Sequence, residues 1–158
     1  MANNLSESHA LKIQGRCYGY LGLLPFFIGL LGPLWLPIYE NVFHHGFIIY
    51  SYLIFAFLSG TLWFAAIVRP EIQNDEKSVS LGLAMAIFFS LLPLISFYLG
   101  LINLPTSIGL MLLGYPALWL WEGLSRIRNS YPHWYRSLRL QLTVIVTLCH
   151  LVFLLLKT

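Results

Sequence analysis

Long apolar runs separated by short polar stretches set the pattern of this chain, and at least five such runs can be counted. A helix needs about 17–25 apolar residues to cross the hydrocarbon core of a bilayer. By that measure the chain predicts spans at about 17–36, 47–68, 79–100, 106–124 and 138–156. The expected fold is therefore all-α, a single domain (1–158) made of a bundle of five transmembrane helices. The densest polar and basic stretch, Tyr131-Pro132-His133-Trp134-Tyr135-Arg136-Ser137-Leu138-Arg139, lies directly before the last run. Pro132 lacks an N–H and disfavours helix in the residue before it, so a new element is expected to begin there. Trp134 and Tyr135 have apolar bodies with polar tips, which suit the headgroup layer. Arg136 and Arg139, three residues apart, share a helical face and can reach toward lipid phosphates. The stretch reads as the interfacial foot of a membrane helix.

Punctuation inside the runs adds detail. Pro25 and Pro33 each remove a hydrogen bond from the first span, which predicts a kinked or broken helix, and Pro37 closes it. Gly15, Gly19 and Gly22 lie on one flank, where a neighbouring helix can come close. Pro37 to Gly46 is expected to be a loop, with Glu40 and His44 facing the same way only if it is helical. Ala56, Ser59 and Gly60 are expected to form a close-packing seam in the second span, and Gly82, Ala86 and Ser90 another in the third. Pro93 interrupts the third span. The turn after it runs Asn103 to Ser107, with Thr106 or Ser107 as the expected helix cap. Pro116 lies in the fourth span, which ends in Trp119 and Trp121.

Composition agrees with the run pattern. Of 158 residues, 58% are hydrophobic and only 9% charged, where a soluble domain carries about 25% charge; mean hydropathy is +0.75. The net charge of +3 does not point to nucleic acid, because the basic residues flank apolar runs instead of forming a solvated patch. Anionic lipid headgroups are the expected partner, with a second copy of the chain or other membrane proteins at the small-residue seams. Lys12, Arg16, Arg69, Lys77, Arg126, Arg128, Arg136 and Arg139 all fall on one side of the predicted bundle, and only Lys157 falls on the other. The positive-inside rule makes the crowded side cytoplasmic, with the N-terminus in and the C-terminus out. The N-terminal stretch to Gln14 lacks the features of a mitochondrial presequence, and the apolar run behind it is too long for a cleaved signal, so it is read as a retained span.

Candidate chemistry is sparse. No paired carboxylates, nucleophile elbow or HExxH helix appears, so no catalytic residue is assigned. Cys17 and Cys149 are expected at different depths, as two buried thiols behaving like small hydrophobes. Glu40, His44 and His45 do not make a convergent ligand set, so neither a metal nor a cofactor is expected. The polar candidates are Glu122, near the membrane boundary, and His150, the only ionisable group deep in the last span, together with Trp134, Tyr135, Arg136 and Arg139. Glu122 has two available partners, Arg126 one turn on and Arg139 at the start of the next span.

Three stretches together resemble a family of small polytopic proteins known as domain of unknown function 3429, which includes eukaryotic transmembrane protein 69. They are Gly22-Leu23-Leu24-Pro25-Phe26, Phe57-Leu58-Ser59-Gly60-Thr61-Leu62-Trp63, and Pro132-His133-Trp134-Tyr135 with Leu138-Arg139 and Leu142-Thr143. The family pattern in the second stretch is Ser-Phe-Leu-Gly-Gly followed by Trp-Gly. Ala56, Ser59 and Phe64 depart from it, so packing there is expected to be looser or altered. The resemblance implies about five helices in a bacterial or mitochondrial inner membrane and supplies no reaction. Three functions stay open: a noncatalytic protein supporting envelope integrity or membrane-protein assembly, a small-solute or proton-coupled permeation protein, and an intramembrane enzyme acting on lipid, in that order.

Overall fold

The structure is a computed structural model that describes residues 2–68, 76–124 and 131–157, with only the backbone course given for 2–11, 66, 68, 76 and 78. Every element there is helical: α1 (Ala2–Leu21), α2 (Leu24–Trp35), a 3-10 turn (Pro37–Tyr39), α3 (Glu40–Val68), α4 (Glu76–Ile102), α5 (Leu104–Leu124) and α6 (His133–Lys157). Five segments are long and apolar enough to cross a membrane: Lys12–Trp35, Pro37–Ala65, Val79–Ile102, Leu104–Leu124 and His133–Lys157. Large apolar side chains also stay exposed around the bundle, among them Leu34, Phe57, Leu101 and Leu155. An apolar girdle of that extent is foreign to a monomeric soluble protein. The protein is a multi-pass membrane protein.

Neighbours in sequence are neighbours in space. α2 packs on α3, α3 on α4, α4 on α5 and α5 on α6, and α6 returns to both α1 and α2, which closes a ring. Its centre is aromatic: Phe26, Phe47, Phe55, Tyr115 and Phe153 are almost wholly buried. Phe47 and Phe153 stack with ring centroids 4.5 Å apart, and Phe26 meets Phe47 edge-on at 5.4 Å.

The first span breaks at Gly22–Leu23. Pro25 has no N–H, and the Phe26 N–H turns to the Leu23 carbonyl, 3.1 Å away. The Gly22 carbonyl is left over and accepts a hydrogen bond from the Tyr50 hydroxyl at 2.8 Å. A side chain from α3 thus satisfies a backbone group that cannot be left bare in lipid. Pro33 stays inside α2.

Five expectations need correction. Pro93 does not interrupt the third span, because α4 runs unbroken from Glu76 to Ile102 with the proline inside it. The stretch taken as a loop up to Gly46 is helical from Glu40 on. At 29 residues α3 is about 43 Å long, against about 30 Å of hydrocarbon, so its polar first turns extend past the apolar core. Of the Ala56–Ser59–Gly60 seam only Ser59 is buried; Ala56 and Gly60 face outward, and a Cβ on Gly60 would meet nothing within 4 Å. The cap of α5 is Asn103, whose side-chain oxygen accepts from the Thr106 N–H at 3.3 Å, and not Thr106 or Ser107. Ser107 is instead fully buried, with its hydroxyl 2.5 Å from that of Tyr52 and its carbonyl accepting from Ser96 at 2.9 Å. Finally, Cys149 is buried but Cys17 is exposed, and both are free thiols. The seam on α4 does face α3: Gly82 and Ala86 are buried, and the Ser90 hydroxyl lies 3.2 Å from that of Ser59.

Candidate functional site

α6 begins five residues before the predicted span, so the polar foot is its first two turns. The Pro132 carbonyl accepts from the N–H groups of Tyr135 and Arg136, at 3.0 and 3.2 Å, which opens the helix where the missing proline N–H costs nothing. Helical periodicity then sends the foot residues in three directions. Trp134 and Leu138 turn toward α1, where Gly15 and Gly19 leave room: a Cβ on Gly15 would lie 2.9 Å from the Trp134 ring, and one on Gly19 would lie 3.1 Å from Leu138. The glycine flank read from the sequence is therefore the seat of α6. Tyr20 extends that contact by donating to the Gln141 side chain at 2.6 Å.

Arg139 points inward. It is 6% exposed and Glu122 is 7% exposed, and the two carry a paired contact in which Nε donates to Oε2 at 3.2 Å and Nη2 donates to Oε1. The geometry is the two-pronged guanidinium–carboxylate fork. Arg126, the other partner open to Glu122, lies outside the described residues. The ion pair joins α5 to α6.

His133, Arg136 and Tyr135 turn toward α5 and line a cleft of about 430 Å³ with Trp119, Glu122 and Arg139. The Arg136 guanidinium lies against the His133 ring, 2.6 and 3.1 Å from its two nitrogens. The Tyr135 ring leans on Tyr131 at 4.9 Å and meets Trp134 edge-on at 5.9 Å. On the far side of Arg139 a second, almost wholly apolar fissure of about 180 Å³ runs one to two turns deeper, between Tyr18 and Gly22 of the first span, Phe57 and Leu58 of α3, and Leu142 of α6. Arg139 lines both.

His150 lies elsewhere, at the centre of the ring and 1% exposed. Its Nδ1 is 2.8 Å from the Val146 carbonyl, and its Nε2 is 2.6 Å from the Ser51 hydroxyl. A carbonyl can only accept, so Nδ1 carries a proton; in the neutral ring Nε2 then accepts and Ser51 donates. The Tyr115 hydroxyl donates to the Ser51 carbonyl at 2.8 Å. A serine donating to a histidine has the polarity of an activated nucleophile. The space beside this pair is only about 10 Å³, around the minimum of roughly 10–15 Å³ for one water, so no substrate fits. The pair is a polar core clamp between α3 and α6. Ser51 and Tyr115 were not singled out from sequence; the available signal was a hydroxyl in the midst of an apolar run.

At the other end of the bundle the Lys157 ammonium lies 3.0 Å from the Glu40 carboxylate, and His44 is 3.5 Å from the same oxygen. Among the described residues no three His, Cys, Asp or Glu side chains converge as a metal site would require.

No curated protein and no solved structure matches this chain. One family model does, over residues 12–155, and it takes in the first four spans, the foot of α6 and all but the last two residues of the fifth span. The chain belongs to the family described as Protein of unknown function (DUF3429).

Proposed function

We propose that this is a noncatalytic protein of the bacterial inner membrane that supports envelope integrity or the assembly of other membrane proteins. Its N-terminus lies in the cytoplasm and its basic end rests against anionic headgroups. The observation that carries this reading is the way the two interior ionisable candidates are engaged. His150 is held on both ring nitrogens in the packed centre, and Glu122 is held by the Arg139 fork. Intramembrane charges that serve transport line water-filled paths and exchange partners as they work. These two are instead the bonds by which α3, α5 and α6 hold one another, which favours a support role over permeation.

Reconstitution separates the two. Proteoliposomes of the purified protein should pass protons and small neutral solutes no faster than empty liposomes. Cells depleted of the protein should admit a normally excluded dye, and re-expression should restore the barrier. Protein-dependent flux that disappears in His150→Ala would replace this reading with permeation.

A further inference from the structure

The cleft and the fissure on the two sides of Arg139 divide by chemistry in the way a phospholipid does. The cleft, about 430 Å³, falls within the roughly 300–1,000 Å³ typical of small-molecule sites. Two guanidiniums, Arg136 and Arg139, line it against one carboxylate, Glu122, which leaves an excess positive charge. Arg139 is already spoken for by Glu122. Among the described residues Arg136 hydrogen-bonds only to the His133 ring, and the connecting residues 125–130 contain two arginines and no acid. An anion entering the cleft therefore meets a guanidinium that no carboxylate among the described residues has neutralised. Trp119 and the tyrosines beside it supply the amphipathic walls that suit headgroup depth.

The fissure supplies what the cleft lacks. It begins at Arg139 and descends between α1 and α3 beside Phe57 and Leu58, with Tyr18 and Leu142 on the other wall. Phe57 is 68% exposed and Tyr18 is 71% exposed, so the fissure opens sideways toward lipid tails. The opening has a structural cause. α1 rests on α6 whereas α2 rests on α3, and the break at Gly22 lets the two halves of the first span lean on different neighbours.

We infer that the foot of α6 is a binding site for one anionic phospholipid of the adjacent leaflet, its phosphate on Arg136 in the cleft and an acyl chain in the fissure below Arg139. This rests on the membrane placement above and not on the noncatalytic role. A free phosphate shares the headgroup chemistry but has nothing to fill the fissure, so the lipid is the occupant.

Native mass spectrometry of the detergent-solubilised full-length protein tests it. Phosphatidylglycerol should bind at least about tenfold tighter than phosphatidylcholine, and neither inorganic phosphate nor glycerol 3-phosphate should displace it at comparable concentration. Arg136→Gln should lose most of that preference while unfolding at the same temperature as the parent without added lipid. Arg136→Lys, which keeps the charge and loses the fork, should recover part of it. A phosphatidylglycerol with a photoreactive acyl chain should label Tyr18, Phe57 or Leu58. Equal affinity for both lipids, unchanged preference in Arg136→Gln, displacement by phosphate alone, or labelling confined to outer faces such as Leu94 and Leu155 would each overturn the assignment. Flux through the protein would overturn the support role and leave this site untouched.

Discussion

Glu122 and Arg139 each sit where an isolated charge is expensive, roughly 2.5–3.5 kcal/mol near the middle of a membrane helix and less toward its ends. Burial raises the cost of separating them. Removing one member of a buried pair strands the other and typically costs about 3–5 kcal/mol. Glu122→Gln and Arg139→Gln should therefore each lower the unfolding temperature in detergent, and the double variant should fall by clearly less than the sum. Additive losses in that cycle would mean that the fork does not couple α5 to α6. Glu122 was legible in the sequence as a lone acid at a boundary and Arg139 as a basic foot residue. Which of its two available partners Glu122 takes was not. Arg126 offers the same charge one turn away, and no spacing rule distinguishes a partner on the same helix from one on the next. The Ser51–His150 bond was hidden for a stronger reason: its members stand 99 positions apart in the chain, and no periodic signal links them.

At the scale of elements, small-residue positions received a helix wherever a neighbour happened to face them, whereas of the first- and third-span prolines only Pro25 coincides with a break, Pro33 and Pro93 lying inside continuous helices. Gly15 and Gly19 do receive α6, and Ala86, 0% exposed, does meet α3. Ala56 and Gly60 carried the same kind of signal and face outward. A stripe of small residues says that close approach is possible, and whether a helix arrives depends on the rotation of the whole element about its axis. That contrast gives a paired test. Ala86→Leu should destabilise the detergent-solubilised protein by about 1–3 kcal/mol through overpacking, whereas Gly60→Leu should be neutral or mildly stabilising, since Gly is a poor helix former and the position is open. If the two variants melted alike, the rotational setting of α3 and α4 described above would be wrong. The first turns of α3 were misread for a related reason. Polar residues normally signal a loop, but at the rim of a membrane helix they signal only that the helix has left the hydrocarbon.

For the whole molecule, the distribution of charge predicts its orientation. Among the described residues Lys12, Arg16, Lys77, Arg136 and Arg139 belong to one end of the ring, and Lys157 meets Glu40 at the other. A reporter active only outside the cytoplasm should work when fused after Thr158 and fail when fused before Met1. The reverse pattern would invert the protein and move the proposed lipid site to the outer leaflet. The Lys157–Glu40 contact is solvent-accessible, with half the Glu40 side chain exposed. It contributes little to holding the ring closed, so Lys157→Ala should leave the unfolding temperature unchanged within error.

The sequence by itself determined the number of spans, their approximate limits, the sidedness of the charges and the family. These depend on quantities local to the chain: the length of an apolar run against a fixed bilayer thickness, a missing proline N–H, and the sign of charge at a helix end. Only the tertiary structure decided which face of each helix turns inward, that Glu122 reaches Arg139, that His150 is spent on Ser51 and Val146, and that a charged cleft and an apolar fissure share one arginine. Lipid tails are as apolar as the helix faces, so hydrophobicity cannot orient a helix inside the membrane. Shape and a few buried polar bonds do, and they exist only between residues far apart in the chain.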